Sequence, residues 1–144
     1  MTKKTILVVD DDLSILSLMR YRLELWGYVV VKAETGISAI EEVLKSSKGE
    51  SPPIQLVLLD LGLGSTSGFE ILTEIKNIQA TLPVIMVTGS HSNEEAAEAI
   101  QLGAYDYVTK PVDPNKLLTI MHRWMMPEEA GAEANTARPD DEDR

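Results

Sequence analysis

Acidic, hydroxyl and basic side chains follow apolar runs at four separate places in this sequence. These residues are Asp10-Asp11-Asp12, Asp60, Thr88 and Lys110. Crowded carboxylates repel one another unless a cation lies among them, and Mg²⁺ is a cation that prefers carboxylate, water and phosphate oxygens. A lysine ammonium and a threonine hydroxyl can both donate to phosphoryl oxygens. The residue types therefore match an aspartyl-phosphate site, in which a carboxylate attacks phosphorus and a metal neutralises the developing charge.

The chain alternates short apolar runs with amphipathic stretches, and this pattern predicts a strand and a helix in turn. The predicted strands are Thr5–Val9, Tyr28–Ala33, Ile54–Leu59, Leu82–Val87 and Tyr105–Thr109. The predicted helices are Leu13–Trp26, Ile37–Leu44, Phe69–Lys76, Asn93–Leu102 and Pro114–Met126. Strict alternation predicts an α/β fold: a single doubly wound (βα)5 domain. We expect a five-stranded parallel sheet of order 2-1-3-4-5 with helices on both faces.

Local signals mark the ends of some predicted elements. Ser92 and Glu95 predict a capping box at the start of the fourth helix, and Asp113-Pro114 predicts an N-cap with proline at the first helical position. The Gly- and Ser-rich segment after Asp60 is predicted to be a loop. The first helix is predicted to bury one apolar stripe, which consists of Leu13, Leu16, Met19 and Leu23.

The predicted sheet brings the chemistry-bearing residues to one edge. In such sheets, ligands bind beyond the carboxyl ends of the strands, near the point where the strand order reverses. The acidic cluster, Asp60, Thr88 and Lys110 follow four different strands and are therefore expected on the same rim. A lone aspartate at a strand end is more often a helix cap than a ligand, but folding does not require all four groups on one edge.

Length and composition exclude several classes of protein. The chain has 144 residues, enough for one domain, and it contains no cysteine. A disulfide scaffold, a cysteine zinc site, an iron–sulfur cluster and a cysteine nucleophile are therefore excluded. Only two histidines are present, His91 and His122, so an all-histidine metal site is excluded as well. No apolar run is long enough for a membrane span, and we expect a cytoplasmic protein that does not bind membranes.

The chain is acidic, and the excess of negative charge is concentrated at its end. The formal net charge is −10, and residues 127–144 contain seven acidic residues and two arginines. That segment lacks large apolar residues, so we expect a disordered acidic tail at 127–144 and a folded domain at 1–126. The net charge opposes direct contact with nucleic acid phosphates.

Five sequence motifs resemble the receiver domain of bacterial response regulators, over residues 3–126. They are Ile-Leu-Val-Val-Asp-Asp-Asp at 6–12, Leu-Val-Leu-Leu-Asp at 56–60, Gly68, Val-Thr-Gly at 87–89 and Tyr-Val-Thr-Lys-Pro at 107–111. The resemblance implies a phosphorelay switch that takes a phosphoryl group from a histidine kinase or a histidine phosphotransfer domain. It also implies a regulatory protein that catalyses only its own phosphorylation and dephosphorylation.

The resemblance assigns a role to each residue of the rim. Asp60 would be the phosphoacceptor and a ligand of Mg²⁺. Asp11 would bind the metal directly, Asp10 would bind it directly or through water, and the carbonyl of Gly62 would be a further ligand. The residue Asp12 falls just past the family's acidic pair, so we expect it to cap the first helix or to face solvent.

The resemblance also implies a switch. Thr88 and Lys110 would contact the phosphoryl group, and the bond from Lys110 to Pro111 is expected to be cis. Movement of Thr88 would let Tyr107 turn inward and reshape the surface formed by the fourth helix, the fifth strand and the fifth helix. A downstream protein would bind to that surface.

Two positions depart from the family pattern. Gly64 stands where the family usually has proline, and the freer loop predicts weaker metal binding than is typical. Gly62 and Ser90 occupy the positions whose side chains influence the lifetime of the phosphoryl group. Small residues at these positions do not predict whether that lifetime is long or short.

Two other functions fit part of the pattern. A small phosphatase of the haloacid-dehalogenase type would use Asp10 as its nucleophile and Asp12 as its second aspartate, but the chain lacks a cap domain and the final acidic pair of that superfamily. A degenerate receiver that binds partners without phosphate would not need the complete acidic, threonine and lysine set.

Overall fold

The computed structural model describes residues 3–125, which fold into an α/β architecture with one main parallel sheet. In chain order the strands are β1 (Thr5–Val9), β2 (Val29–Ala33), β3 (Ile54–Leu59), β4 (Gly62–Leu63), β5 (Thr66–Ser67), β6 (Val84–Thr88) and β7 (Asp106–Thr109). The helices are α1 (Leu13–Leu25), α2 (Gly36–Ser47), α3 (Gly68–Ile78), α4 (Asn93–Gln101) and α5 (Pro114–Trp124). The alternation predicted from the sequence is therefore confirmed, with boundaries that shift by a few residues.

The main sheet has the order β2-β1-β3-β6-β7, and all four pairings within it are parallel. The strands β4 and β5 form a separate antiparallel hairpin. When only the strands of the main sheet are numbered, its order is 2-1-3-4-5, as predicted. The hairpin corrects the prediction of a loop after Asp60. Gly64 lies in its turn with φ +69, a left-handed conformation that glycine adopts without a steric penalty.

Helices pack on both faces of the sheet. Residues that alternate along the strands, such as Leu7 and Val57, join one buried cluster with side chains of α2 and α3. The other face carries α1, which contacts β1 and β2 and buries Leu16, Met19 and Leu23. Leu13, predicted to belong to that stripe, is 59% exposed. It is the first residue of α1 and lies at the rim, beyond the last residues of β1.

Within the described residues the chain divides into two units, one that ends at Val112 and one that begins at Asp113 and contains α5. The side chain of Asp113 accepts the amide N–H of Asn115, and Pro114 is the first helical residue, as the sequence predicts. The buried residues of this helix are Leu117, Ile120 and Met121. The acidic segment 127–144, predicted to be disordered, lies outside the described residues.

Gly68 fixes the approach of α3 to the end of β3. A Cβ atom there would lie 2.5 Å from the carbonyl oxygen of Asp60 and 2.6 Å from the Cα of Leu61. The amide N–H of Gly68 donates to the Leu61 carbonyl at 2.7 Å. Because every close neighbour is backbone, the backbone that carries Asp60 depends on glycine at this position.

We expect Gly68→Ala to lower the free energy of unfolding by about 2 kcal/mol, because either α3 or the Asp60–Leu61 backbone must move. Denaturant unfolding measures this loss. Gly62→Ala is the matched control in the same segment, since a Cβ there meets nothing within 4 Å. An equal loss in both variants would contradict the packing role of Gly68.

Candidate functional site

The sheet delivers two carboxylates side by side at its carboxyl edge. Val9 pairs with Leu59 at the ends of β1 and β3, so Asp10 and Asp60 follow at the same level. The Asp60 amide N–H donates to the Val9 carbonyl at 3.0 Å, and the Asp10 amide donates to the Ala33 carbonyl at 3.1 Å. The sheet's hydrogen bonds thus continue into the site residues and fix their backbone. Asp10 is 3% exposed and Asp60 is 7% exposed.

A third carboxylate completes an acidic cluster that has the geometry of a cation site. Asp10, Asp11 and Asp60 each offer one carboxylate oxygen, and these oxygens lie within 4.8 Å of one another. A Mg²⁺ ion binds oxygen at about 2.1 Å, so two oxygens on opposite sides of it lie about 4 Å apart. Asp11 is exposed while its two neighbours are buried. The cluster therefore fits a hard divalent cation that keeps part of its water shell.

Lys110 joins the two buried carboxylates. Its ammonium lies 2.7 Å from Asp10 Oδ2 and 3.5 Å from Asp60 Oδ2. Its amide N–H donates to the carbonyl of Thr88 at 2.7 Å, which holds its backbone against the end of β6. The peptide bond from Lys110 to Pro111 is cis, as expected.

Burial and charge oppose each other at Asp60. Burial raises the pKa of Asp60 and the neighbouring charge of Asp10 raises it further, while Lys110 and the Gly62 amide lower it in part. Burial lowers the pKa of Lys110, but the bond to Asp10 and the charges of both aspartates outweigh it, so the net shift is upward. The site therefore favours a charged lysine and leaves Asp60 without full compensation.

The loop between β6 and α4 connects Thr88 to Tyr107 through Ser90. Thr88 is 4% exposed, and its Oγ1 accepts the amide N–H of Ser90 at 3.3 Å. The Tyr107 hydroxyl donates to the Ser90 carbonyl at 3.4 Å, and the Tyr107 ring packs against the buried cluster. Both residues that the sequence assigned to a switch thus contact the same loop residue.

Two sequence predictions about helix caps have different outcomes. Asp12 caps α1, as expected, because its Oδ1 accepts the amides of Ser14 and Ile15. The capping box at α4 is wrong in one half: Ser92 accepts the amide of Glu95 at 3.1 Å, but the Ser92 amide donates to Ser90 Oγ at 3.2 Å.

Glu95 therefore does not make the reciprocal hydrogen bond that its spacing from Ser92 predicts. Its Oε1 is buried and has no hydrogen-bond partner. The sequence signal that could have found this is Ser90, which stands two residues before Ser92. A serine at that position competes with Glu95 for the same amide.

Gly62 and the two histidines are the remaining positions singled out from the sequence. The Gly62 amide donates to Asp60 Oδ1 at 3.4 Å, so this residue lies directly beside the acidic cluster. His91 and His122 are both exposed. Among the described residues, no helix is both long and apolar enough to cross a membrane.

A doubly wound sheet of this order, with an acidic cluster and a lysine on its carboxyl edge, defines the class of CheY-like signalling domains. The family model described as "Response regulator receiver domain" matches residues 6–122. The chain therefore belongs to the response regulator receiver family, whose members are regulatory domains of two-component systems.

Individual relatives agree with this assignment. The transcriptional regulatory protein ZraR of Klebsiella oxytoca is 39% identical over 112 residues, which are 78% of this chain and 24% of that protein. A CheY-like receiver domain of Methanospirillum hungatei is 29% identical with a TM-score of 0.76, and the match covers 94% of this chain and 100% of that one. The BeF3-activated DrrB receiver domain is 30% identical with a TM-score of 0.73, and the match covers 87% and 99% of the two chains. The chain spans between about a quarter and a half of the length of the curated relatives it matches.

The raised pKa of Asp60 predicts a site that is destabilising when no cation is bound. The pKa of Asp60 is higher in the folded protein than in the unfolded one, so ionisation of this carboxyl lowers stability. The loss is at its full value when the pH is above the folded pKa, and it is absent when the pH is below the unfolded pKa near 3.8. We expect Asp60→Asn to raise the stability of the metal-free protein at pH 7 by about 1 kcal/mol, or about 3 °C in Tm.

Thermal melts across pH test this prediction. The gain should disappear as the pH falls toward 4, and added Mg²⁺ should stabilise the unchanged protein more than the variant. Asp11→Asn is the control, because Asp11 is exposed; it should weaken the response to Mg²⁺ with little change in metal-free stability. A metal-free Asp60→Asn protein that melts lower at pH 7 would contradict the electrostatic account.

Proposed function

We propose that this chain is a phospho-accepting receiver of a phosphorelay, and that Asp60 takes the phosphoryl group from a phosphohistidine with the help of Mg²⁺. The observation that carries the proposal is the surroundings of Asp60. It is buried at the rim, 3.5 Å from Lys110, with oxygens of Asp10 and Asp11 within 4.8 Å of its own. The uncompensated carboxylate is thereby held where a cation and a phosphoryl group can both reach it.

The residues around Asp60 have separate tasks in this reaction. An Asp60 oxygen attacks phosphorus, the phosphorus–nitrogen bond of the donor breaks, and the electron pair returns to the imidazole nitrogen. Lys110 donates to a phosphoryl oxygen, and Thr88 supplies a hydroxyl donor from the end of β6. Asp10, Asp11, Asp60 and the Gly62 carbonyl would hold Mg²⁺, which would supply positive charge to offset the charge on the phosphoryl oxygens. The chain acts on itself alone, so we propose a regulatory domain, not an enzyme.

The phosphatase alternative places the nucleophile at Asp10 and is less favoured. Both Asp10 oxygens already have partners, since Oδ1 accepts the Asp12 amide at 2.9 Å and Oδ2 accepts Lys110 at 2.7 Å. Asp60 Oδ1 has only a long bond of 3.4 Å to the Gly62 amide. Asp60 is therefore the better placed nucleophile, and membership of the receiver family agrees with this choice.

A protein donor must touch the rim to reach Asp60, and an apolar surface adjoins the rim. A groove of about 430 Å³ is lined by residues that include Leu18, Met19, Val87 and Lys110. Lys110 thus belongs both to the groove and to the site. Leu18, which lines the groove, is 57% exposed, and Tyr21, also on α1, is 64% exposed. We propose this surface as the contact for the histidine kinase or histidine phosphotransfer domain.

We also propose, from the resemblance to the receiver family, where a downstream protein binds after phosphorylation. Phosphorylation would reorganise the surface that includes α4 and β7, to which the resemblance adds α5, and a downstream protein would bind there. ZraR is named a transcriptional regulatory protein, but the net charge of −10 opposes direct contact of this chain with nucleic acid. A cytoplasmic location remains a prediction.

The chemical proposal predicts the site of labelling. We expect Mg²⁺ and acetyl phosphate to add one base-labile phosphoryl group to Asp60, because this buried carboxylate has a raised pKa and lies 3.5 Å from the Lys110 ammonium. Intact-mass and peptide mass spectrometry measure the label. Asp60→Asn should abolish it, and Asp106→Asn, on a strand away from the acidic cluster, is the control. Labelling that survives in Asp60→Asn and vanishes in Asp10→Asn would support the phosphatase instead.

The docking proposal predicts that donor recognition and chemistry can be separated. We expect Leu18→Ser and Tyr21→Ser to slow phosphotransfer about tenfold from whichever phosphorylated histidine kinase of a test panel labels the unchanged protein fastest. Labelling by acetyl phosphate should be unchanged, since this small donor needs no protein contact. Ile37→Ser is the matched control, because Ile37 is 71% exposed on α2, on the other face of the sheet. Equal slowing by the Ile37 variant would contradict the proposed surface.

A further inference from the structure

We propose that the β4–β5 hairpin is a positioning element for the cation at the acidic cluster, and that Gly64 is the residue on which it depends. The inference rests on the proposed function and deepens it, because it concerns how the site around Asp60 holds Mg²⁺. The hairpin follows Asp60 closely and begins with Gly62, whose carbonyl is one of the proposed ligands. The conformation of the hairpin therefore sets where that carbonyl lies.

Both ends of the hairpin are fixed by contacts within the protein. Before it, the Asp60 amide N–H donates to a carbonyl at the end of β1 at 3.0 Å, so the chain leaves the sheet at a fixed point. After it, Ser67 caps the first turn of α3. The Gly68 amide donates to the Leu61 carbonyl at 2.7 Å, and this bond joins the two ends of segment 62–67.

The turn of the hairpin requires glycine. The strands β4 and β5 pair in antiparallel register, which leaves Gly64 and Ser65 as a two-residue turn. The favoured two-residue turns need a positive φ at their first position, and Gly64 has φ +69. Other L-residues are disfavoured in this conformation, and proline, whose ring fixes φ at about −65°, cannot adopt it. Leu63, next to the turn, belongs to the buried cluster and anchors the hairpin to the core.

The hairpin also lies against the acidic cluster. A Cβ atom on Gly64 would be 3.9 Å from Asp11 Oδ2, and the Gly62 amide donates to Asp60 Oδ1 at 3.4 Å. The hairpin is thus beside two of the three carboxylates that form the candidate cation site. A segment that the protein's own contacts hold in this place loses little conformational entropy when a cation binds. The flexible loop predicted from the sequence would weaken metal binding, whereas the hairpin leads to the opposite expectation.

The experiment measures the Mg²⁺ affinity of the full chain by calorimetry, for the unchanged protein and three Gly64 variants. We expect Gly64→Pro to weaken the affinity at least about tenfold, because the turn cannot form with proline. Gly64→Ala should weaken it about fivefold, since the hairpin is then less populated and the affinity falls with that population. Gly64→Asn should stay within about twofold of the unchanged protein, because asparagine tolerates the left-handed conformation.

Gly49→Ala is the matched control for the cost of a left-handed residue. Gly49 follows the C-cap of α2 and has φ +77, and a Cβ atom there meets nothing within 4 Å. The Gly49 variant should lower the free energy of unfolding, as Gly64→Ala does, but leave the Mg²⁺ affinity unchanged. At 3.9 Å the added Cβ of Gly64→Ala makes an ordinary contact with Asp11, so its loss of affinity reports the backbone conformation and not a clash.

Amide hydrogen exchange of residues 62–67 without added Mg²⁺ tests whether the hairpin itself is responsible. We expect protection in the unchanged protein and in Gly64→Asn, and loss of protection in Gly64→Pro. Undiminished Mg²⁺ affinity in Gly64→Pro, or equal weakening by Gly49→Ala and Gly64→Ala, would overturn the inference and leave the proposed function standing. An unchanged protein that neither bound Mg²⁺ nor took a phosphoryl group at Asp60 would overturn the proposed function, and this inference with it.

Discussion

The interaction on which the site depends is the repulsion between carboxylates that the sheet forces together. Asp10 and Asp60 follow adjacent strands, and the backbone amide of each donates to a carbonyl of a neighbouring strand. These hydrogen bonds prevent the two backbones from moving apart. Lys110 offsets part of the repulsion, but burial and, after it, the charge of Asp10 still raise the pKa of Asp60. An electrostatic imbalance held by a rigid sheet can be relieved by a bound cation, which the proposed phosphoryl transfer also requires.

Residues on neighbouring elements hold the site carboxylates and their partners in position. Gly68 allows α3 to begin against the backbone of Asp60, where any side chain would displace it. A backbone hydrogen bond of 2.7 Å joins Thr88 and Lys110, the two residues proposed to hold the phosphoryl oxygens. The Thr88 hydroxyl oxygen in turn accepts the amide N–H of Ser90, so the β6–α4 loop is attached to the same rim residue.

Much of this could be predicted from sequence, and the reasons are physical. Strand and helix periods differ, so the alternation of elements and the meeting of Asp10, Asp60, Thr88 and Lys110 on one edge follow from pattern alone. The β4–β5 hairpin was not predicted, because each of its strands has only two residues. Two residues are too few to show the alternation of apolar and polar side chains that marks a strand. Glu95 was misassigned because two acceptors, Ser90 Oγ and its own carboxylate, compete for one amide, and only three-dimensional geometry decides between them. Leu13 has the right spacing for burial but sits past the end of the sheet.

The apolar surface of α1 has a further consequence, for the behaviour of the chain in solution. Leu18, Tyr21 and Leu25 form one stripe at helical spacing, and each is more than half exposed. At neutral pH the net charge of −10 keeps molecules apart, but near the isoelectric point of about 4.6 that barrier disappears. Exposed apolar patches on uncharged molecules favour self-association. The colloidal stability of this protein therefore depends on its acidity, and mildly acidic buffers are where it will precipitate.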